Sequence, residues 1–270
     1  MTEAPRSAAA LARDVGRGVF GSDISGYHGA RLGYPDSLAG RIRDYCGAAQ
    51  ASVVEIGPGT GLFTTRLLQT DLGRLVAIEP DVDLASFLEN HISDRRLTVV
   101  AAPFLEADVG TGYDLVSSAC AFHWIEPTEG LAKVLDLLRP GGALALIWHS
   151  YRNADCDPFF AALQPYLESV SLPPTEGHNG YIYRDEPRTR ALLEKAGFVD
   201  VQSFILRSER FLDADGMAAL YDSFSFIRVQ PQAERERILG TIRRLVDEQF
   251  GGSAPNLVLS PVYLGRKPFT

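Results

Sequence analysis

The sequence predicts an α/β protein with a doubly wound, mostly parallel sheet. Short apolar runs alternate with helical segments along the first 150 residues, which is typical of strands covered by helices on both faces. The apolar run 53–56 ends in a turn with glycine at positions 57, 59 and 61, and helical sequence follows. Regular elements return after residue 187, so we expect two more strands to extend the sheet.

Seven strands and seven helices are predicted from these patterns. Pro261 cannot donate a ladder hydrogen bond, so we expect it at a strand start or a bulge, unless the last strand is short. The predicted strands cover residues 52–56, 75–79, 97–101, 113–118, 143–149, 198–206 and 257–264. The predicted helices cover residues 35–50, 61–70, 81–91, 127–138, 187–196, 213–224 and 231–250.

The length of 270 residues suits one large α/β domain with an appended substrate cover. Residues 150–187 are rich in Pro, Asp, Asn and aromatic residues, which interrupt the strand and helix pattern. We therefore expect an N-terminal lid segment and helix at 1–47, a cofactor-binding core at 48–150, a substrate-cover insertion at 151–187, and a C-terminal part of the sheet with cover helices at 188–270.

Composition excludes several classes of partner. A net charge of −8 argues against a nucleic-acid surface, and we find neither a signal-peptide pattern nor an apolar run long enough to span a membrane. The three cysteines have no metal-site spacing and indicate reduced thiols. We therefore expect a cytoplasmic protein without nucleic-acid or membrane partners. The Ala-rich N-terminus is compatible with packing on a neighbouring subunit, so the sequence allows a homo-oligomer.

The glycine turn indicates a nucleotide-like ligand. Gly57 and Gly61 allow backbone angles that a Cβ disfavours, and Gly59 removes side-chain bulk where a ligand can touch the chain. Leu62 stands where a dinucleotide fingerprint has its third glycine, and no Gly-Lys-Ser/Thr follows. A pyrophosphate is therefore not the favoured ligand. The alternative is a turn that only connects strand to helix.

Glu79 is the second candidate for ligand binding. It ends the predicted strand 75–79 and stands 22 residues after Gly57. An acidic residue at this distance can accept hydrogen bonds from both ribose hydroxyls. The alternative is an acid at a helix N-terminus, since Asp81 and Asp83 follow.

These motifs resemble those of class I S-adenosylmethionine-dependent methyltransferases. The resemblance rests on residues 55–61, Glu79 and the segment 138–144, L-R-P-G-G-A-L. Residues 20–35 and the A-C-A-F-H-W stretch 119–124 resemble the small-molecule group related to trans-aconitate methyltransferase, with Leu32 where that group has proline. The resemblance runs from about residue 20 to the C-terminus. It implies a seven-stranded Rossmann-like sheet, S-adenosylmethionine as cofactor and a small-molecule acceptor.

The resemblance also implies a set of cofactor contacts. The turn would face the amino-acid part and the sugar, while Glu79 and Pro80 would take the ribose. Phe104 would cover the adenine, with a core phenylalanine as the alternative. Arg31, on the predicted lid, would pair with the methionine carboxylate, with a surface arginine as the alternative. The implied cofactor residues are Tyr27, Arg31, Gly57, Pro58, Gly59, Thr60, Gly61, Glu79, Pro80, Phe104 and Ala119.

Methyl transfer requires few catalytic groups: alignment, exclusion of water and sometimes a base. His123 is the first candidate base, with a histidine packed beside Trp124 as the alternative. His149 is the second, and Tyr27 is a candidate for closing the pocket near the sulfonium. A metal site is not favoured, because the resembled family does not usually need one.

The cover predicts the kind of acceptor. Its aromatic residues predict that the acceptor is a fairly large apolar secondary metabolite. The arginines are scattered along the sequence. Two other classes are alternatives: an S-adenosylmethionine-binding scaffold used for cyclisation or regulation, and an NAD-dependent oxidoreductase, which Leu62 disfavours. The aromatic residues are Tyr151, Phe159, Phe160, Tyr166, Tyr181, Tyr183, Tyr221, Phe224 and Phe226, and the scattered arginines are Arg152, Arg184, Arg188 and Arg228.

Overall fold

The computed structural model of the chain describes residues 28–151, 155–167 and 185–269. The chain divides into two compact units. The sheet unit comprises residues 32–149, 179–207 and 259–270, and the helical unit comprises residues 1–31, 150–178 and 208–258.

The strands form one sheet in the order β3-β2-β1-β4-β5-β7-β6. The pairings among β1 to β5 are parallel, and β7 is antiparallel to β5. The prediction of a mostly parallel, seven-stranded Rossmann-like sheet is therefore confirmed. The strands are β1 (Ser52–Ile56), β2 (Arg74–Glu79), β3 (Leu97–Ala101), β4 (Tyr113–Ala119), β5 (Leu138–Ile147), β6 (Val199–Leu212) and β7 (Ala254–Arg266).

The seven predicted helices are all present in chain order with their ends shifted, and the described residues contain two further short helices, α5 (Pro158–Leu163) and α8 (Ser225–Arg228), that were not predicted. Polar N-caps begin several of them; Asp81, for example, accepts hydrogen bonds from the N–H groups of Asp83 and Leu84. Gly197 ends one helix in the left-handed conformation, which favours glycine. The helices are α1 (Asp36–Cys46), α2 (Thr64–Leu68), α3 (Val82–His91), α4 (Pro127–Leu137), α5 (Pro158–Leu163), α6 (Glu186–Ala196), α7 (Ala214–Asp222), α8 (Ser225–Arg228) and α9 (Gln232–Phe250).

Two apolar clusters cover the two faces of the sheet. Val54, Ile56 and Leu144 belong to one cluster, and Val53 and Ala143 belong to the other. Neighbouring residues of a strand point to opposite faces, so a central strand buried on both faces must be apolar throughout. This burial fixes the register and brings the carboxyl ends of β1, β2 and β4 to one edge.

The structure departs from several predicted elements. Strand β5 begins at Leu138, five residues before the predicted strand, and ends at Ile147. Helix α2 is shorter than predicted because residues 61–63 complete the glycine turn. Strand β6 runs on to Leu212. Strand β7 passes through Pro261, yet its pairing with β5 begins at Val262. The Pro261 carbonyl accepts a hydrogen bond from the Trp148 N–H at 3.1 Å, so the missing proline N–H falls just outside that pairing.

Within the described ranges, no helix has the length and apolar character needed to cross a membrane. The same residues contain no group of three or more His, Cys, Asp and Glu side chains arranged to hold a metal ion.

Candidate functional site

The glycine turn follows β1 at the carboxyl edge of the sheet. All three of its glycines have positive φ: 64° at Gly57, 56° at Gly59 and 86° at Gly61. The Gly57 N–H donates to the Ile78 carbonyl at 2.9 Å, which extends the β1–β2 pairing by one step. A Cβ added at Gly59 would meet no protein atom within 4 Å. The middle of the turn therefore faces open space, which suits close approach of a ligand.

Glu79 lies at the end of β2, next to this turn. Its side chain is buried and accepts hydrogen bonds from the Gly59 N–H at 2.9 Å and the Asp81 N–H at 3.1 Å. A carboxylate can accept roughly four hydrogen bonds, more than these two backbone groups supply. Glu79 therefore combines a fixed position with acceptor capacity for a ligand's hydroxyl groups. Pro80, the next residue, is exposed.

Glu55 is a buried carboxyl group on β1, immediately before the turn. Its side chain has no solvent exposure. Burial, the largest cause, raises the pKa of Glu55 to about 8; the negative charge of Glu79 also raises it, while the Thr64 hydroxyl opposes the shift. Glu55 is therefore largely protonated at neutral pH. Two buried acids, Glu55 and Glu79, thus lie beside the turn, and Glu55 is largely neutral.

The loop after β4 packs against the turn. Ala119 is the last residue of β4 and is half-buried. Ala121 lies so close to Gly57 that a Cβ on that glycine would overlap the Ala121 Cβ. Between them, Cys120 has a φ of 56°, which is uncommon for a residue with a side chain. Such strained positions occur often in functional sites.

Cys120 belongs to a cluster that includes His149. Its sulfur accepts hydrogen bonds from the His149 N–H at 3.1 Å and the Tyr34 hydroxyl at 3.4 Å. The Tyr34 and His149 rings stack with centroids 4.2 Å apart. His149 Nδ1 lies 2.8 Å from the hydroxyl of the buried Ser260. The imidazole is thus held on its face by one residue and at one ring nitrogen by another.

His123, the first candidate base from the sequence, lies in surroundings that favour its alternative as a packed histidine, and its catalytic role stays a prediction. The Trp148 indole N–H donates to His123 Nδ1 at 3.1 Å, so the proton of the neutral ring must be on Nε2. Burial lowers the pKa of His123 to about 4. Neither nitrogen is then suited to accept a proton near pH 7, and the packed alternative describes this residue better.

Phe104 also fits its alternative better. The residue is 5% exposed and belongs to the apolar cluster on one face of the sheet. The Lys133 ammonium lies 5.3 Å from its ring centroid. A ring packed in this way has little free surface for an adenine. The neighbouring Leu105 is the exposed apolar side chain of this segment, with 41% of its surface accessible.

The two predicted lid residues are placed differently. Tyr27 lies outside the described residues, so its roles stay predictions. Arg31 is in the helical unit, where its guanidinium donates to the Ser223 carbonyl at 3.0 Å and lies 4.3 Å from the centroid of the Phe224 ring. Its pairing with a methionine carboxylate also stays a prediction.

Sequence reasoning missed Tyr34, Cys120 and Ser260 as neighbours of His149. Tyr34 was visible in the resembled N-terminal segment and Cys120 in the stretch 119–124. Ser260, 111 residues from His149 in the chain, carried no such signal.

Comparisons with known proteins agree with this fold. The sequence model of the ribosomal RNA adenine dimethylase family matches residues 43–126. An uncharacterized methyltransferase of Schizosaccharomyces pombe is 25% identical, over 86% of this chain and 88% of its own. A putative type II methyltransferase from Anaeromyxobacter dehalogenans has a similar structure, with a TM-score of 0.63, 19% identity, and coverage of 88% of this chain and 98% of that chain. The [4+2]-cyclase SpnF shares the fold, with a TM-score of 0.55, 13% identity and 96% of each chain covered.

The sheet order and the glycine turn define a class I nucleotide-binding methyltransferase fold. With the relatives above, they support a class I S-adenosylmethionine-dependent methyltransferase. It is thus an enzyme that uses S-adenosylmethionine. The closer resemblance to trans-aconitate methyltransferase stays a prediction.

We predict that Gly57→Ala destabilises the protein more than Gly59→Ala. Both substitutions place a Cβ at positive φ, which costs about 1–2 kcal/mol. Only Gly57→Ala also overlaps the Ala121 Cβ, and such overpacking costs a further ~1–3 kcal/mol. Urea unfolding of both variants measures the difference. Equal losses of unfolding free energy in the two variants would contradict the packing of the loop after β4 on the turn.

We predict that the contribution of Glu55 to the free energy of unfolding decreases as pH rises. Since its folded pKa is raised to about 8 from 4.5, its contribution is complete below about pH 4.5 and is lost as pH rises through 8. The free energy of unfolding therefore falls by up to about 1.4 kcal/mol per pH unit in this window.

Urea unfolding of the wild type and Glu55→Gln at pH 5, 7 and 9 tests this prediction. The stability of the wild type relative to Glu55→Gln should decrease steadily over the series. Glu89→Gln, an exposed change on α3, serves as the matched control. A difference between wild type and Glu55→Gln that does not change with pH would contradict the buried neutral acid.

Proposed function

We propose that the protein transfers the methyl group of S-adenosylmethionine to a small-molecule acceptor, and that the turn 57–61 with Glu79 holds the cofactor. The observation that carries the proposal is the Glu79 side chain, held at the end of β2 by two backbone N–H groups beside a turn that faces open space. Ribose hydroxyls are donors that suit this acceptor.

The residues present fit the cofactor in shape and in charge. No protein atom lies where a Cβ of Gly59 would be, so a ligand can approach the backbone there. The neighbouring residues Pro58 and Thr60 are buried. The protonated Glu55 adds no negative charge beneath the turn. When bound, S-adenosylmethionine supplies a methyl group on a positively charged sulfur, which is intrinsically electrophilic. The chain's own task is then to align the acceptor and exclude water.

His149 is the group we propose for accepting a proton, if the acceptor releases one. It lies just after β5, at the same edge of the sheet as the turn. Its ring is oriented by the stack on Tyr34 and the contact with Ser260. A serine hydroxyl can donate to Nδ1 or accept from it, so this contact orients the ring in either tautomer. His123 is less suited to accept a proton because its Nδ1 accepts a hydrogen bond from the Trp148 indole N–H.

The proposal of a fairly large apolar acceptor is supported by the aromatic residues of the helical unit. Tyr151, Phe159, Tyr221, Phe224 and Phe226 contact one another at centroid distances of 5.2–5.9 Å. Each is nearly buried, so part of the cluster acts as core. The cover residues 168–184, with Tyr181 and Tyr183, lie outside the described residues.

We predict that S-adenosylhomocysteine raises the melting temperature of the protein and that NAD does not. Ligands that bind only the folded state stabilise it in proportion to the logarithm of their concentration over Kd. Glu79→Gln should weaken this binding about tenfold, because one charge-assisted hydrogen bond pair to the ribose is lost.

Asp83→Asn is the matched control, since Asp83 is exposed in the first turn of α3. It should bind S-adenosylhomocysteine like the wild type. A melting temperature that responds only to NAD would overturn the proposal. If the wild type and Glu79→Gln bind S-adenosylhomocysteine with equal affinity, Glu79 is not part of the cofactor site.

A further inference from the structure

Strand β6 (Val199–Leu212) forms one edge of the sheet. It pairs with β7 on one side, and the residues that the structure describes place no strand on its other side. The strand is 14 residues long, whereas the central strand β1 has 5 residues. An edge strand presents backbone N–H and C=O groups that can pair with the strand of another chain.

The sequence of β6 lacks the features that usually prevent such pairing. Natural edge strands are often very short, or they carry lysine or proline, which disfavour the approach of a second strand. The β6 sequence, V-D-V-Q-S-F-I-L-R-S-E-R-F-L, contains neither lysine nor proline. Two exposed charges near its middle, Arg207 and Glu209, have opposite signs. They can therefore attract the same two residues of an identical strand.

The exposed side chains of β6 alternate along this part of the strand. Every second residue is exposed, and the residues between them are half-buried. Because the side-chain period of a strand is two, the exposed residues share one face. They are Ile205, Arg207, Glu209 and Phe211. Ile205 and Phe211 each have 65% of their surface accessible. Two exposed apolar residues thus flank two opposite charges, with Ser208 at the midpoint.

The order of these residues is self-complementary. In an antiparallel pair of β6 strands with a two-fold axis at Ser208, residues equally far from Ser208 lie opposite each other on the same face. Arg207 then faces Glu209 of the second copy, and Ile205 faces Phe211, each twice by symmetry. Opposite charges and aromatic–β-branched pairs are the cross-strand pairs that stabilise sheets. Registers centred on Arg207 or Glu209 instead place like charges opposite each other.

We propose that β6 is the interface of a homodimer, in which the β6 strands of two copies pair edge to edge and antiparallel with Ser208 at the two-fold axis. The two seven-stranded sheets then form one continuous sheet. A second copy of this chain is the partner that fits, because the same four side chains supply both members of every pair. The inference goes beyond the proposed function, since neither the cofactor nor the acceptor takes part in the interface.

A charge exchange across the interface tests the proposal by sedimentation equilibrium of the full chain without ligand. The wild type should sediment with twice the mass of the chain. Arg207→Glu places two glutamates opposite each other at both symmetric positions, and Glu209→Arg does the same with two arginines. Each change should raise the Kd of dimerisation about tenfold or more. The double variant, with both changes, restores opposite charges and should dimerise like the wild type.

Glu89→Arg is the matched control, because Glu89 is exposed on α3 and the change alters the net charge as Glu209→Arg does. It should dimerise like the wild type. A wild type that is a monomer at every concentration overturns the proposal, as does a dimer that neither single change weakens. A dimer that both single changes weaken and the double variant does not restore overturns the register centred on Ser208. Melting temperatures show which variants fold; if one single variant does not, the other and the double variant decide.

Discussion

The hydrogen bonds that Glu79 accepts from Gly59 and Asp81 tie together the parts of the candidate site. They join the turn after β1 to the segment after β2, so two neighbouring strands place their ends in one fixed arrangement. The turn itself depends on glycine, because its three positive φ values are strained for other residues. Ala121 closes the third side by packing where Gly57 has no side chain. In the proposed function, backbone geometry would therefore set the position of the ligand's sugar.

Electrostatics adds a second constraint at the same place. Glu55 and Glu79 end adjacent parallel strands, and two charged carboxylates there would repel each other. Burial keeps Glu55 largely protonated at neutral pH, which removes that repulsion. Glu79, in contrast, accepts hydrogen bonds from two backbone N–H groups, which favour a charged carboxylate.

The sequence predicted the sheet and the turn well because their signals are local. Apolar runs, alternating glycines and the acid at the end of β2 all lie within short segments, and the structure places each where the pattern indicated. The roles of single side chains were harder to predict. His123 accepts from Trp148, 25 residues away, and His149 contacts Ser260, 111 residues away. A single sequence does not reveal such tertiary contacts, so a buried and an oriented histidine look alike in it. The same holds for Phe104, whose burial depends on the packing of the whole sheet face.

A crystal structure of the complex with S-adenosylhomocysteine tests the central claim most directly. The account predicts the two ribose hydroxyls within hydrogen-bonding distance of the Glu79 carboxylate, with the Gly59 N–H still bonded to that carboxylate and the ligand passing over Gly59. A nucleoside bound away from Glu79, with the turn 57–61 making no contact to it, would contradict the account.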